Sequence, residues 1–263
     1  MSAELISRNI ISYGWKPQVP DYRDYRFLML PKAIPTLVDL RTSGFMPTIY
    51  DQGQLGSCVA NAVAGAFEYE LKKQKLADFI PSRLFIYYNG RVLENSVNCD
   101  CGLEVRDGLK VVNKLGVCNE SEMPYSIGTF TTAPTTIQFT DALKNKATQY
   151  MAVTQSLSAI KTALSSGYPV VFGFTVYNTF ETMLVSRTGI VPMPVRGNYV
   201  IGGHSMVIVG YNDAKQQFLC RNSWGTSWGN AGYCYMPYAY LTNSGLASDF
   251  WVIQVVTENN LIK

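Results

Sequence analysis

The chain has 263 residues, of which 47% are hydrophobic and 16% are charged, and its formal net charge is +3. This composition is typical of a globular protein with one large core or two smaller ones. The basic residues are scattered, so no nucleic-acid partner is expected. The apolar runs are too short to cross a bilayer and the first residues do not resemble a signal peptide, so we expect no membrane partner.

The first half of the chain is predicted to be irregular and then helical. Residues 1–33 mix aromatic residues, prolines and alternating charges without a helical or strand period, which predicts an extended segment. A helix is predicted from Ser57 to about Lys75, with Ser57 as its N-cap. A second helix, "RDGLKVVNKLG", should end at Gly116, and a third, "SLSAIKTALSSG", at Gly167.

The second half of the chain is predicted to form strands. Short β-rich runs separated by Gly, Asn or Ser predict them, namely "VVFGF", "SMVIVGYN", "QQFLCRN", "AGYCYMP" and "DFWVIQVV". The Thr-rich stretch from Thr129 to Thr140 is interpreted as a connection. The sequence therefore predicts an α+β fold with two lobes, a mainly helical one over residues 34–148 and a mainly β one over residues 149–263.

A cysteine at the start of the first helix suggests nucleophilic chemistry. The partial positive charge of a helix N-terminus and a neighbouring imidazolium both favour the thiolate of Cys58. His204 is the single histidine of the chain, so a Cys–His pair must use it. Asn222 is a candidate to orient the imidazole, and Trp224 to shield that hydrogen bond. Gln52 and the Cys58 backbone N–H are candidate oxyanion donors.

Four sequence blocks, in order, resemble the papain-like cysteine peptidases of the cathepsin type. They are "IPTLVDLR" from Ile34, "QLGSCVANA", "GGHSMVIVGYN" and "RNSWGTSWGNAGY". His204 lies 146 residues after Cys58, and Asn222 lies 164 after it. The resemblance implies the papain-like two-lobed fold, with a cleft between the helical lobe and a β-barrel-like lobe. It further implies Cys58 as nucleophile, His204 as base and then acid, Asn222 as the orienting residue and Gln52 as oxyanion donor.

The chain also departs from the family pattern. Val59 and Asn61 replace the aromatic residues that usually follow the nucleophile, and Leu55 replaces a disulfide cysteine of secreted relatives. The blocks are closer to bacterial and viral members. We therefore expect a reducing location, cytoplasmic or associated with a virion or host cell. A single histidine cannot supply the paired histidines of cathepsin B-type exopeptidases, so endopeptidase action is expected.

The resemblance also implies substrate-binding residues. Gly102 should pair with the substrate backbone, while Gly173 and Gly203 should leave room for a bulky side chain at P2, the second residue before the scissile bond. Asp249, or its neighbour Ser248, should lie at the floor of that pocket, and an inward Asp249 would admit a basic P2 residue. Trp224 is also a candidate substrate contact, although packing and shielding explain it more readily.

The remaining cysteines do not form a recognisable metal site. Cys99, Cys101 and Cys118 have the spacing C-x-C-x16-C, which lacks a second C-x-x-C, so no metal and no cofactor are expected. A disulfide of Cys118 with Cys99 or Cys101 is an alternative under oxidising conditions. Cys220 and Cys234 are interpreted as core residues.

The predicted function is that of a monomeric cysteine endopeptidase acting on protein or peptide substrates. Residues 1–33 are too few for the helical pro-segment of the family. We expect Tyr13, Trp15 and "PDYRDYRF" to lie in or beside the cleft as a short pro-segment that restrains the enzyme; the alternative is a structural arm on the back of a lobe. Two other functions stay open, a catalytically silent binding protein on the same fold and another thiol acyltransferase.

Overall fold

The computed structural model describes residues 13–28 and 33–258 and shows a mixed α+β fold. Its helices are α1 (Cys58–Lys73), α2 (Arg83–Leu93), α3 (Val105–Lys114), α4 (Thr136–Ala142), α5 (Leu157–Ser165), α6 (Met183–Thr188) and α7 (Tyr238–Leu241). Its strands are β1 (Trp15–Lys16), β2 (Leu37–Asp39), β3 (Leu103–Glu104), β4 (Asn145–Ala152), β5 (Val170–Tyr177), β6 (Val200–Asn212), β7 (Gln217–Arg221), β8 (Tyr233–Pro237) and β9 (Ala247–Glu258). Short 3-10 helices cover Leu40–Ser43, Ile127–Thr129 and Asn178–Glu181.

A large antiparallel sheet forms the β part of the molecule. Its strand order is β4-β9-β5-β6-β7-β8, and β2 pairs with β6 beside this path. The long strand β9 lies between β4 and β5 in the sheet and pairs with both. A separate two-stranded parallel sheet joins β1 to β3.

Helix α1 lies at the junction of the helical and β parts. It packs against α2 and α3 on one side and against β6 and β9 on the other. Its residues from Cys58 to Leu71 are all buried. Small residues permit this close packing: a Cβ on Gly65 would lie 2.7 Å from the Arg221 guanidinium. The N-terminus of α1, with Cys58, is thereby held between the two parts of the molecule.

The predicted helix ends agree with the structure. Ser57 precedes the first residue of α1, although its side chain makes no capping hydrogen bond. Gly116 and Gly167 follow α3 and α5 with φ near +80°, a conformation that glycine adopts without strain. The interpretation of the Thr-rich stretch is only partly right, because its second part is helical. Thr135 caps α4 through a capping box with Gln138.

The boundary between the two lobes stays a prediction. Strand β4 crosses residue 148, and β2, from the predicted helical lobe, pairs with β6 of the large sheet. Within the described residues, no helix is both long and apolar enough to cross a bilayer. The same residues contain no group of three or more His, Cys, Asp or Glu side chains arranged to hold a metal ion.

Candidate active site

Cys58 is the first residue of α1 and is fully buried. Burial raises the pKa of its thiol to about 12, and hydrogen bonds from the backbone N–H groups of Ser205, Gly14 and Val59 act in the opposite direction. The predicted contribution of the helix N-terminus is therefore present but is outweighed by burial. The contact with Ser205 also brings the sulfur next to the strand that carries His204.

His204 and Asn222 form a hydrogen-bonded pair, one on a strand and the other at the end of the neighbouring strand. His204 lies on β6 and Asn222 directly follows β7, and His204 Nε2 is 2.8 Å from Asn222 Oδ1. The same oxygen accepts the backbone N–H of Ser223 at 2.8 Å, which fixes it as the acceptor. Nε2 of His204 must therefore carry a hydrogen, which leaves Nδ1 as the basic nitrogen of the neutral ring.

Aromatic side chains enclose this pair. The Trp224 ring stacks on His204 with a centroid distance of 4.7 Å and is 2% exposed. Phe180 and Trp228 pack on Trp224 at 5.5 and 5.1 Å. Such packing keeps water from the His204–Asn222 bond, in agreement with the shielding role of Trp224. A direct contact of Trp224 with substrate stays a prediction.

Gln52 is held beside the site by both of its amide atoms. Its Oε1 accepts the Ser223 hydroxyl at 2.6 Å, and its Nε2 donates one hydrogen to the Leu55 carbonyl at 2.9 Å. The Gln52 backbone N–H also donates to the Ser223 carbonyl. These bonds orient the second N–H of the amide. Ser223 was missed by sequence reasoning, although its place directly after Asn222 was a usable signal.

Further polar residues fix the loop before Cys58. Asp100 accepts the Gly56 backbone N–H at 3.0 Å and the Tyr87 hydroxyl at 2.5 Å, and the hydroxyls of Ser57 and Tyr125 lie 2.6 Å apart. Asn61 replaces an aromatic residue of the family pattern and is fully buried, where its amide donates to the Ser57 carbonyl. The sequence carried no pattern that pairs these distant residues.

Residues 13–28, here called the leader, begin beside Cys58 and His204. The Gly14 backbone N–H lies close enough to Cys58 to lower the pKa of its thiol, and the Gly14 carbonyl accepts the Leu103 backbone N–H at 2.8 Å. A Cβ on Gly14 would lie 1.7 Å from the Gly56 carbonyl oxygen, and one on Gly102 would lie 2.3 Å from the Gly14 oxygen. Gly14 thus fills a space that admits no side chain, and Gly102 lies against the leader backbone.

Trp15 contacts the residues that were predicted to line the P2 pocket. A Cβ on Gly173 would lie 2.0 Å from the indole, and one on Gly203 would lie 2.6 Å from it. The Trp15 Nε1 donates to Asp249 Oδ2 at 2.9 Å, and the Gln18 backbone N–H donates to the same oxygen. Burial raises the pKa of Asp249 despite these bonds. Asp249 therefore points toward the side chain that fills the slot.

The leader continues beyond these residues across α3 to the sheet. Asp24 pairs with Arg106 at 2.7 Å, and Tyr25 and Phe27 exchange backbone hydrogen bonds with Ala152. Tyr13 and Trp15 lie beside the site as expected. The stretch "PDYRDYRF", residues 20–27, instead continues over α3 to the edge of β4. The part of the expected pro-segment in residues 1–12 and 29–32 lies outside the described residues.

All six cysteines are free thiols in the structure. Cys118, Cys220 and Cys234 are buried, whereas Cys99 is exposed. The alternative disulfide of Cys118 with Cys99 or Cys101 is therefore not formed in this structure, and the assignment of Cys220 and Cys234 to the core is confirmed.

The chain is similar to known proteins over most of its length. Residues 34–252 match the papain family of cysteine proteases. The chain is 40% identical to a peptidase C1-like protein of Acanthamoeba polyphaga mimivirus, over 98% of this chain and 90% of that protein. It is 31% identical to digestive cysteine proteinase 1 of Homarus americanus, over 81% of this chain and 65% of that protein.

Solved structures are similar as well. Xylellain, a cysteine protease from Xylella fastidiosa, superposes with a TM-score of 0.86 at 40% identity and covers 96% of this chain and 99% of its own. Digestive procathepsin L 3 of Tenebrio molitor superposes with a TM-score of 0.71 at 18% identity, over 94% of this chain and 77% of its own, which shows the shared fold.

Proposed function

Because this chain belongs to the papain family of cysteine proteases, we propose that it hydrolyses peptide bonds with Cys58 as nucleophile, His204 as base and acid, and Asn222 as the orienting residue. The observation that carries the proposal is the 2.8 Å bond between His204 Nε2 and Asn222 Oδ1, which leaves Nδ1 as the basic nitrogen. Cys58 lies near the backbone of Ser205, the residue that follows His204.

The reaction then has two halves. His204 takes the Cys58 proton, and the thiolate attacks the substrate carbonyl carbon while the oxyanion accepts hydrogen bonds from Gln52 and the Cys58 N–H. The tetrahedral intermediate expels the amine, which receives its proton from His204, and a thioester remains on Cys58. Water, deprotonated by His204, attacks the thioester and releases the free acid together with the Cys58 thiol. Release of free acid distinguishes this function from acyl transfer to an amine.

The leader contacts support a restraining role. A peptide that is to be cut must present a carbonyl carbon to the sulfur, but Gly14 presents its N–H there and directs its carbonyl to Leu103. Trp15 at the same time fills the slot of Gly173, Gly203 and Asp249. We propose that the enzyme is a zymogen in which the leader occupies the cleft without being cut.

Active-site labelling tests both parts of the proposal. An irreversible epoxysuccinyl inhibitor is added to the full chain, to Cys58→Ala and to Gly14→Ala, and adducts are followed by intact mass. We expect no adduct on Cys58→Ala. The Gly14→Ala chain should react at least about tenfold faster than the parent, since its methyl group has no room beside Gly56.

Gly128→Ala is the matched control, because a Cβ there meets no atom within 4 Å. It should label at the parent rate. Equal rates for the parent and Gly14→Ala would contradict the restraint while keeping the nucleophile. Adducts that persist in Cys58→Ala would contradict the assignment of the nucleophile.

We further propose that the enzyme prefers a bulky apolar or basic P2 residue, since Trp15 occupies the slot that ends at Asp249. It should act as an endopeptidase and as a monomer in a reducing environment. Light scattering of the purified chain checks the oligomeric state, and thiol titration after isolation checks the redox state of its cysteines.

A further inference from the structure

We propose that Glu181 selects the first substrate side chain on the leaving-group side of the scissile bond, P1′, and favours a cationic or hydroxyl-bearing one. The inference rests on the proposed function, because it concerns a substrate of the same site. It adds a second carboxylate to the cleft, on the side of the thiol opposite to Asp249.

Glu181 is held in a fixed position close to the catalytic imidazole. It ends the 3-10 helix Asn178–Glu181, which follows β5 directly. Asn178 anchors this helix to the start of β6, because its N–H donates to the Tyr199 carbonyl at 3.0 Å and its side-chain oxygen accepts the Tyr199 N–H at 3.1 Å. Phe180 is 1% exposed and packs on Trp224. The half-buried Glu181 is thus attached to the wall that supports His204.

The leader already places a side chain on this carboxylate. Tyr13 directly precedes Gly14, and its hydroxyl donates a hydrogen bond to Glu181. The Tyr13 ring meets His204 edge-on at a centroid distance of 6.2 Å, and a Cβ on Gly202 would lie 2.6 Å from the Tyr13 side chain. Glu181 therefore faces a side-chain position immediately beside the imidazole.

The chemistry of the reaction identifies this position as the leaving-group side. His204 must protonate the amine that departs, so the residue carrying that amine lies over the imidazole. Tyr13 lies there, while Trp15 fills the slot of Asp249. Tyr13 and Trp15 thus mark side-chain positions on the two sides of the thiol, and each donates a hydrogen bond to a carboxylate.

An ionised carboxylate accepts hydrogen bonds and repels anions, so its presence selects side chains by charge. Arg, Lys or Tyr can replace the Tyr13 hydroxyl at Glu181, whereas Asp or Glu would meet a like charge. Because Glu181 is half-buried, this selection should exceed that of an exposed ion pair.

The test measures kcat/KM with internally quenched peptides that differ only at P1′, which is Arg, Lys, Tyr, Gln or Glu. The full chain carrying Gly14→Ala is the parent, so that the leader affects every variant alike. We expect Arg to exceed Gln by about tenfold and Glu to be the poorest substrate. Glu181→Gln should reduce the Arg-to-Gln ratio to within about twofold, mainly through KM, and Glu181→Asp should retain part of it.

The matched control is Glu122→Gln, which removes a carboxylate near Asp141 and Lys144 on the helical part. It should keep the parent Arg-to-Gln ratio. An unchanged ratio in Glu181→Gln overturns the inference and leaves Glu181 as a contact of the leader alone. A parent that hydrolyses none of the peptides overturns the proposed function itself. If Glu181→Gln fails to react with the epoxysuccinyl inhibitor, Glu181→Ala decides, because it also removes the carboxylate, and a parent-like Arg-to-Gln ratio there overturns the inference.

Discussion

Cys58 is a fully buried thiol that lies beside Gly14 of the leader. Burial raises the pKa of this thiol to about 12, although the Gly14 N–H acts in the opposite direction. Displacement of Gly14 admits water and removes part of this desolvation, while the helix N-terminus and the imidazole remain. We therefore expect the leader to restrain the enzyme twice, by blocking substrate and by keeping the nucleophile protonated.

The side chain of Asp249 should decide how well a basic P2 residue is accepted. Asp249 has φ +62°, a conformation that asparagine tolerates, so Asp249→Asn removes the charge and keeps the backbone. In the Gly14→Ala chain we expect this change to lower kcat/KM for P2 Arg about tenfold and to leave P2 Leu within about twofold. Steady-state hydrolysis of two peptides that differ only at P2 measures it. An unchanged Arg-to-Leu ratio of kcat/KM would show that Asp249 does not select the P2 side chain.

The residues that the sequence revealed are those whose chemistry requires one amino-acid type at a recognisable position. Cys58, His204 and Asn222 stand in blocks with characteristic neighbours, so the candidate site could be assembled before the fold was known. Ser223 and Glu181 form hydrogen bonds with Gln52 and Tyr13, which are more than 160 positions away in the chain. Only the fold brings such pairs together, so their roles could not be predicted.

At the level of elements, the end of α1 contains a carboxylate whose ionisation should affect stability. Glu70 is 1% exposed, and burial raises its pKa from 4.5 to about 7 although Lys73 lies 3.0 Å away. Between these values the folded state keeps the proton that the unfolded state has lost, so this group's contribution to stability falls as pH rises from about 4.5 to about 7.

Glu70→Gln cannot ionise and should therefore remove this fall. We expect the free energy of unfolding of the variant, relative to the parent, to increase by about 2 to 3 kcal/mol between pH 5 and pH 8. Urea denaturation of the full chain in a Cys58→Ala background measures it without self-digestion. Asp78→Asn, at an exposed carboxylate that follows the same helix, should keep the parent pH dependence. An equal pH dependence in Glu70→Gln and the parent would contradict the prediction.

Helices and strands with a strong local signal were predicted, whereas α2 and β4 were not. The sequence "RLFIYYNGRVL" is rich in aromatic and β-branched residues, so its local preference for a helix is weak. Tertiary contacts stabilise α2: Ser82 caps it, Phe85 packs on Phe139, and Arg91 donates to three backbone carbonyls outside the helix. Strand β4, "NKATQYMA", lacks an apolar alternation, and its partner β9 lies about 100 residues away.

For the molecule as a whole, the leader links the active site to the far edge of the sheet. It pairs with β3 in the cleft, crosses α3 and then adds to the open edge of β4, where the Phe27 N–H donates to Ala152 O and the Ala152 N–H donates to Tyr25 O. The contacts outside the cleft add to the stability of the covered state. We therefore expect the proposed restraint to be distributed along residues 13–28 and not to be confined to Gly14 and Trp15.

The ion pair of Asp24 with Arg106 allows this distribution to be measured. The two side chains are 15% and 10% exposed, and Arg106 also donates to the Val19 carbonyl, so loss of the Asp24 charge should loosen the leader where it leaves the cleft. We expect Asp24→Asn to raise the rate of Cys58 labelling in the full chain about three- to tenfold, less than Gly14→Ala does. Asp21→Asn is the control, because Asp21 pairs with Arg23 inside the leader and should leave the rate unchanged. If Cys58 is labelled at the parent rate in Asp24→Asn but faster in Gly14→Ala, the restraint comes from the contacts in the cleft alone.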